Sequence, residues 1–245
     1  MQHNNPSAQL PEGARVTPAP HLITVDATHQ VSALLLLPPA ASACYVLAHG
    51  AGAGMTHPSM ETVATELYGL NIATLRYQFP YMERRSGRPD RPELCHATVR
   101  AAVAEATRLA PDLPLVAGGR SFGGRMTSQA QALTPLPGVR GLAFLAFPLH
   151  PADRPSNERA EHLFAVKIPM LFLQGTRDAL ADLPTLQDVV KRLGKRATLK
   201  LLEHADHSFH VPARTGRKDP EVRSEALHAL VDWIARLPAA SAPKV

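Results

Sequence analysis

Short apolar runs alternate with helix-length amphipathic segments along most of this chain, and that alternation leaves few folds open. Residues 42–50 (SACYVLAHG), 71–77 (NIATLRY), 113–119 (LPLVAGG), 139–147 (VRGLAFLAF), 168–175 (IPMLFLQG) and 197–203 (ATLKLLE) are apolar, short and bounded by turn residues, as buried strands are. Between them lie residues 58–69, 92–110, 121–133 and 183–194, with apolar side chains at helical spacing, and a last such segment at 219–236. Strands separated by helices pair in parallel, and strands without polar alternation need both faces covered. The expected fold class is therefore α/β, a doubly wound and mostly parallel sheet of about eight strands. Two strands fall outside the alternation. Residues 21–26 (HLITVD) and 31–37 (VSALLLL) lie too close together for a crossover and predict an opening antiparallel pair.

Composition narrows the class further. Hydrophobic residues make up 45% and charged residues 19% of the 245, so the chain buries a core without disulfide or metal staples. The two cysteines, Cys44 and Cys95, lack metal-site spacing, and no metal or organic cofactor is expected. No apolar run approaches a membrane span, and the first residues have neither the basic region nor the apolar core of a secretory signal. The expectation is a cytoplasmic domain over residues 21–237, with flexible arms at 1–20 and 238–245. A net charge of +5 permits acidic ligands, but aromatics are only 5% and the basic residues are spread out. The expected partner is a small-molecule substrate, with no nucleic acid and no membrane.

In doubly wound sheets chemistry sits in the loops after the strands. After the strand 113–119 comes Gly119-Arg120-Ser121-Phe122-Gly123, then a helix. This is G-x-S-x-G in the strand-turn-helix setting, which projects a serine hydroxyl above the sheet. The amide of Phe122, opening the helix, is a candidate oxyanion donor. An activated serine needs an acid and a base, in that order along the chain. Asp178 follows the strand 168–175, with Asp182 and Asp153 as alternative acids. His207 follows the last strand, between His204 and His210, and is the expected base. The small residues 49–54 (HGAGAG) after the strand 42–50 offer the second oxyanion donor, Ala51 first and Gly52 second. His49 reads as a structural residue beneath that loop.

Together these motifs resemble the α/β-hydrolase superfamily, and within it the branch of predicted hydrolases related to dienelactone hydrolase, the KANL3/Tex30-like family. The carriers are 48–55 (AHGAGAGM), 76–85 (RYQFPYMERR), 117–126 (AGGRSFGGRM), 147–151 (FPLHP), 172–180 (FLQGTRDAL) and 205–209 (ADHSF). The resemblance implies Ser121 as nucleophile where dienelactone hydrolases carry cysteine, Asp178 as acid and His207 as base. It implies a serine esterase-type hydrolase acting on a small carboxylester, lactone or thioester. The same family includes subunits of chromatin complexes, so a non-catalytic scaffold is the alternative reading.

Only about 20 residues, 148–168, separate two strands where larger relatives insert a lid, which predicts an open site with one short helix at most. Arg84, with Arg85, Arg88 and Arg91, lies in a loop after the strand 71–77, on the active-site side. Arg120 and Arg125 flank the nucleophile. Arg84 and Arg120 are the candidates to hold a substrate carboxylate or phosphate.

Overall fold

The structure, a computed structural model, describes residues 16–238. Strands β1 (Ala19–Thr24) and β2 (Gln30–Leu36) pair antiparallel, and β2 also pairs antiparallel with β4 (Ile72–Tyr77). The other strands are β3 (Ala43–Ala48), β5 (Leu115–Arg120), β6 (Val139–Leu145), β7 (Met170–Gly175) and β8 (Ala197–Leu202). They form an eight-stranded sheet in the order β1-β2-β4-β3-β5-β6-β7-β8, in which β2 alone runs against the rest. Every residue of β3, β4 and β7 is buried, which explains why these strands carry no polar alternation. Strand β1 starts at Ala19, so the sheet begins two residues inside the expected arm; residues 1–15 and 239–245 lie outside the described residues.

Helices α1 (Pro58–Gly69) and α6 (Asp219–Ala235) cover one face of the sheet, and α3 (Pro92–Leu109), α4 (Phe122–Leu133) and α5 (Leu183–Leu193) the other. Proline in the first turn starts α1 and α3, where a missing N–H costs nothing. In α3 the buried residues Cys95, Val99, Ala102, Val103 and Ala106 repeat at helical spacing and face the sheet. Burying a side chain such as Val99 contributes about 1.5–3 kcal/mol. Each face thus has its own apolar cluster, and the sheet separates them. A four-residue helix α2 (Pro80–Glu83) and a 3₁₀ helix over Glu158–Ala165 complete the loops. The latter is the short helix expected between β6 and β7. Among the described residues no helix is long and apolar enough to cross a membrane.

The topology places a crevice. Strand β3 leaves toward β4 on one side, and β5 onward builds the other side. The connections therefore diverge between β3 and β5, and the loops leaving their carboxyl ends border the gap where doubly wound sheets bind ligands.

Candidate active site

Ser121 joins β5 to α4 with φ 49° and ψ −116°, outside the regions a side chain adopts freely. Strain of this kind costs roughly 1–3 kcal/mol and persists where the surroundings over-determine the backbone. Here the Ser121 amide donates to the Leu145 carbonyl at 3.0 Å, and its own carbonyl accepts from Arg125 N–H at 3.1 Å. The flanking glycines are required by contact. A Cβ on Gly119, at φ 147°, would lie 2.3 Å from the Ala48 carbonyl oxygen, and one on Gly123 would lie 2.5 Å from that of His49. Strand β3 and helix α4 thus approach to a distance that only glycine permits.

The structure brings Asp178, His207 and Ser121 into one chain of hydrogen bonds. Asp178 Oδ2 lies 2.7 Å from His207 Nδ1, and His207 Nε2 lies 2.8 Å from Ser121 Oγ. The Asp178 carboxylate is completely buried and accepts from the Leu180 amide at 2.8 Å and from Gln174 Nε2 at 2.5 Å. Gln174, buried in β7, turns its other amide atom to accept from Phe147 N–H at 2.9 Å, so its orientation is determined. His207 sits in a tight loop built on Asp206, whose Oδ1 accepts the amides of Ser208 (2.7 Å) and His210 (3.0 Å). Phe209 anchors the loop in the core at φ 62°. Two bonds tie it to the Asp178 loop: Arg177 N–H to the Ala205 carbonyl (2.9 Å) and His204 N–H to Thr176 Oγ1 (2.8 Å).

The alternative acids lie elsewhere in the hydrogen-bond network. Asp182 caps α5 through the Thr185 amide at 3.0 Å, and Asp153 is exposed. His204 is exposed, and His210 pairs with Asp219 at 2.9 Å, which raises the histidine pKa and lowers that of the carboxylate.

The loop after β3 is held from below. His49 is buried, its Nε2 accepts from Phe79 N–H at 3.0 Å, and its Nδ1 lies 2.7 Å from the Gly50 carbonyl oxygen. With Nε2 accepting, Nδ1 carries the proton and donates to Gly50. A trans peptide points its C=O and N–H in opposite directions. Holding the Gly50 carbonyl down therefore turns the Ala51 amide up. Burial pushes the His49 pKa down to about 4, so the ring stays neutral in this role. Tyr81 holds the next peptide, donating to the Ala51 carbonyl at 2.9 Å. Among the described residues neither the Ala51 nor the Phe122 amide has a hydrogen-bond partner.

Ala51, Ser121 and Phe122 line one open cavity of about 410 Å³, together with Pro89, Asp90, Pro92, Arg125, Met126, Pro148, Arg159 and Leu180. Two expected substrate contacts are not on its wall. Arg84 points instead to Asp90, with which it forms an ion pair. Arg120 turns its guanidinium toward the base: Nη2 donates to the His207 carbonyl at 2.8 Å, and the group lies 5.7 Å from the Phe209 ring. Burial lowers its pKa, opposed by the attraction of Asp178 and Asp206. Both arginines are already engaged by protein acceptors, which loop position in the sequence does not reveal. Cys44 and Cys95 are buried thiols pushed up to about 12 by desolvation, which keeps them protonated. Sequence reasoning missed Gln174 and Arg159; a lone glutamine inside an apolar strand was the available signal for the first.

The profile of the alpha/beta hydrolase domain family matches residues 41–235. The chain belongs to the alpha/beta hydrolase family. Among solved structures, an alpha-beta serine hydrolase homologue from Coxiella burnetii is similar, with TM-score 0.70 and 20% identity over 89% of this chain and 100% of that one. A serine hydrolase without a lid from Xanthomonas campestris aligns with TM-score 0.68 and 22% identity over 93% and 99%. A dienelactone hydrolase from Anabaena variabilis aligns with TM-score 0.70 and 20% identity over 91% and 100%. These likenesses show the fold: this chain has the α/β-hydrolase sheet, with a 3₁₀ turn where a lid would stand. In this alpha/beta hydrolase the residues described above come from the ends of β3, β5, β7 and β8, all on the carboxyl side of the sheet.

Proposed function

We propose that this alpha/beta hydrolase cleaves small ester-type substrates (carboxylesters, lactones or thioesters) through an acyl-enzyme on Ser121. The observation that carries the reading is the unbroken sequence of bonds from Asp178 through His207 to Ser121 Oγ, at 2.7 and 2.8 Å. His207 Nε2 takes the hydroxyl proton as Ser121 Oγ bonds to the carbonyl carbon, and the carbonyl π electrons move to oxygen. The amides of Phe122 and Ala51 receive that oxyanion, where one donor typically contributes about 3 kcal/mol to lowering the barrier. On collapse the proton passes from His207 to the leaving oxygen or sulfur. Water then repeats the sequence on the acyl-enzyme and releases the acid. Asp178 keeps the proton on His207 Nδ1 and stabilises the imidazolium.

The motif set supports placement in the KANL3/Tex30-like branch, near dienelactone hydrolase but with serine as nucleophile. The site lies on an open cleft, which favours short or exposed acyl groups. The test is labelling with a fluorophosphonate probe, beside Ser121→Ala, with mass spectrometry of the modified peptide. Labelling of Ser121, absent in the variant, supports the reading. A folded protein that does not label at Ser121 refutes it and leaves a scaffold role.

A further inference from the structure

The cavity beside Ser121 is lined by two arginines that form no ion pair among the described residues. Arg125 lies one helical turn beyond Ser121 on α4, and Arg159 comes from the 3₁₀ helix between β6 and β7. Both line the cavity that Ser121, Phe122 and Ala51 line. Among the described residues neither forms an ion pair, and neither side chain donates a hydrogen bond to the protein. Nε of Arg125 is buried and has no hydrogen-bond partner among the described residues. The Arg125 guanidinium lies 5.8 Å from the centre of the Phe122 ring, next to the proposed oxyanion donor. Burial lowers the Arg125 pKa, and the positive charge of Arg159 lowers it further.

Among the described residues no ion pair balances them. Asp90 is the one described carboxylate on the cavity wall; its Oδ1 pairs with Arg84, and its Oδ2 is buried without a hydrogen-bond partner. His162 packs nearby with Nε2 2.7 Å from Ser128 Oγ, and burial keeps it neutral. Desolvating an arginine without a counter-charge or an acceptor is unfavourable, and two converging ones more so. A ligand oxyanion relieves both costs at once, because planar guanidinium groups match the two oxygens of a carboxylate.

We propose that Arg125 and Arg159 form a carboxylate subsite, so that the preferred substrate is an ester carrying a second, anionic group. This rests on the reading of Ser121 as nucleophile. The test uses two matched ester pairs. In 4-nitrophenyl hemisuccinate against 4-nitrophenyl butyrate the charge is on the acyl side, and in 4-acetoxybenzoate against its methyl ester it is on the leaving side. Each kcat/KM ratio is corrected for the esters' own hydroxide rates. The expected result is at least a fivefold preference for the anionic member of one pair, reduced at least threefold by Arg125→Gln and by Arg159→Gln. Because a ratio is read, partial misfolding of a variant does not affect it. A smaller preference, or one that survives both substitutions, overturns the proposal. If none of the four esters is hydrolysed and Ser121 does not label, the catalytic reading fails separately. Calorimetric binding of the two anionic esters to Ser121→Ala then decides the subsite: binding weakened at least tenfold by adding Arg125→Gln supports it, and undetectable or unchanged binding overturns it.

Discussion

Replacing Asp178 by asparagine tests the proposed role of the acid with almost no change in volume. Three donors converge on this buried carboxylate: Leu180 N–H on Oδ1, and Gln174 Nε2 and His207 Nδ1 on Oδ2. An amide nitrogen in the Oδ2 position faces Gln174, which cannot flip because its oxygen accepts from Phe147 N–H. It also forces His207 to accept on Nδ1, moving the ring proton to Nε2, where it faces Ser121 and can no longer take the hydroxyl proton. An amide nitrogen in the Oδ1 position meets the Leu180 N–H and leaves two donors opposed. Either placement leaves a buried donor unmade, a stability cost of about 1–3 kcal/mol. Where the wrong tautomer wins, a Ser-His-Asp centre loses on the order of 10⁴ in rate, or about 5.5 kcal/mol of barrier. The assay is the second-order rate of fluorophosphonate labelling at Ser121, with urea unfolding to confirm a folded variant. Labelling within tenfold of the unmodified protein, with Ser121→Ala unlabelled, would show that Asp178 does not set the tautomer of His207.

Three further outcomes are expected. His49 has a folded pKa of about 4, below the ordinary histidine value near 6.5. A depressed histidine pKa means that the unfolded chain binds the extra proton first. Its contribution is thus complete above pH ~6.5 and is lost as pH falls toward ~4, about 3 kcal/mol over that window. Urea unfolding at pH 7 and pH 4.5 should show this loss shrinking in His49→Gln, and an identical loss in both proteins would contradict the argument. Gly123→Ala places a Cβ 2.5 Å from one backbone oxygen and 2.7 Å from Ala48 atoms, so it should cost about 1–3 kcal/mol in unfolding and slow Ser121 labelling. Unchanged labelling and stability would mean that α4 and β3 separate freely. Arg120→Met removes the charge-assisted bond to the His207 carbonyl, and labelling should slow by roughly 10–100-fold, equivalent to about 1.5–3 kcal/mol. A variant that labels at the normal rate would remove Arg120 from the support of the base.

The resting geometry suits the proposed reaction. The strained Ser121 backbone, the His49 bond that turns the Ala51 amide, and the paired loops after β7 and β8 are all fixed before any ligand arrives. Donors that need no reorganisation are the ones that stabilise developing charge best.

Much of this was written in local sequence. Strand and helix positions follow from periods of 2 and 3.6 and from punctuation by proline and glycine, which depend only on near neighbours. That Ser121, Asp178 and His207 lie at one edge of the sheet was legible for a related reason. Each follows a recognisable strand, and strand ends in a parallel sheet share one edge, so chain position fixes their spatial side. The arginines were not legible that way. Position after a strand marked Arg84 and Arg120 as candidates, but an arginine's long side chain takes its direction from whichever acceptor lies within reach. Arg84 found Asp90 six residues away, and Arg120 found a carbonyl 87 residues away. Arg125 and Arg159, 34 positions apart, meet at one cavity only because α4 and the 3₁₀ helix pack together. Local pattern determined the elements and their order, whereas the pairing of charges across them is a non-local outcome of packing that tertiary structure alone decides.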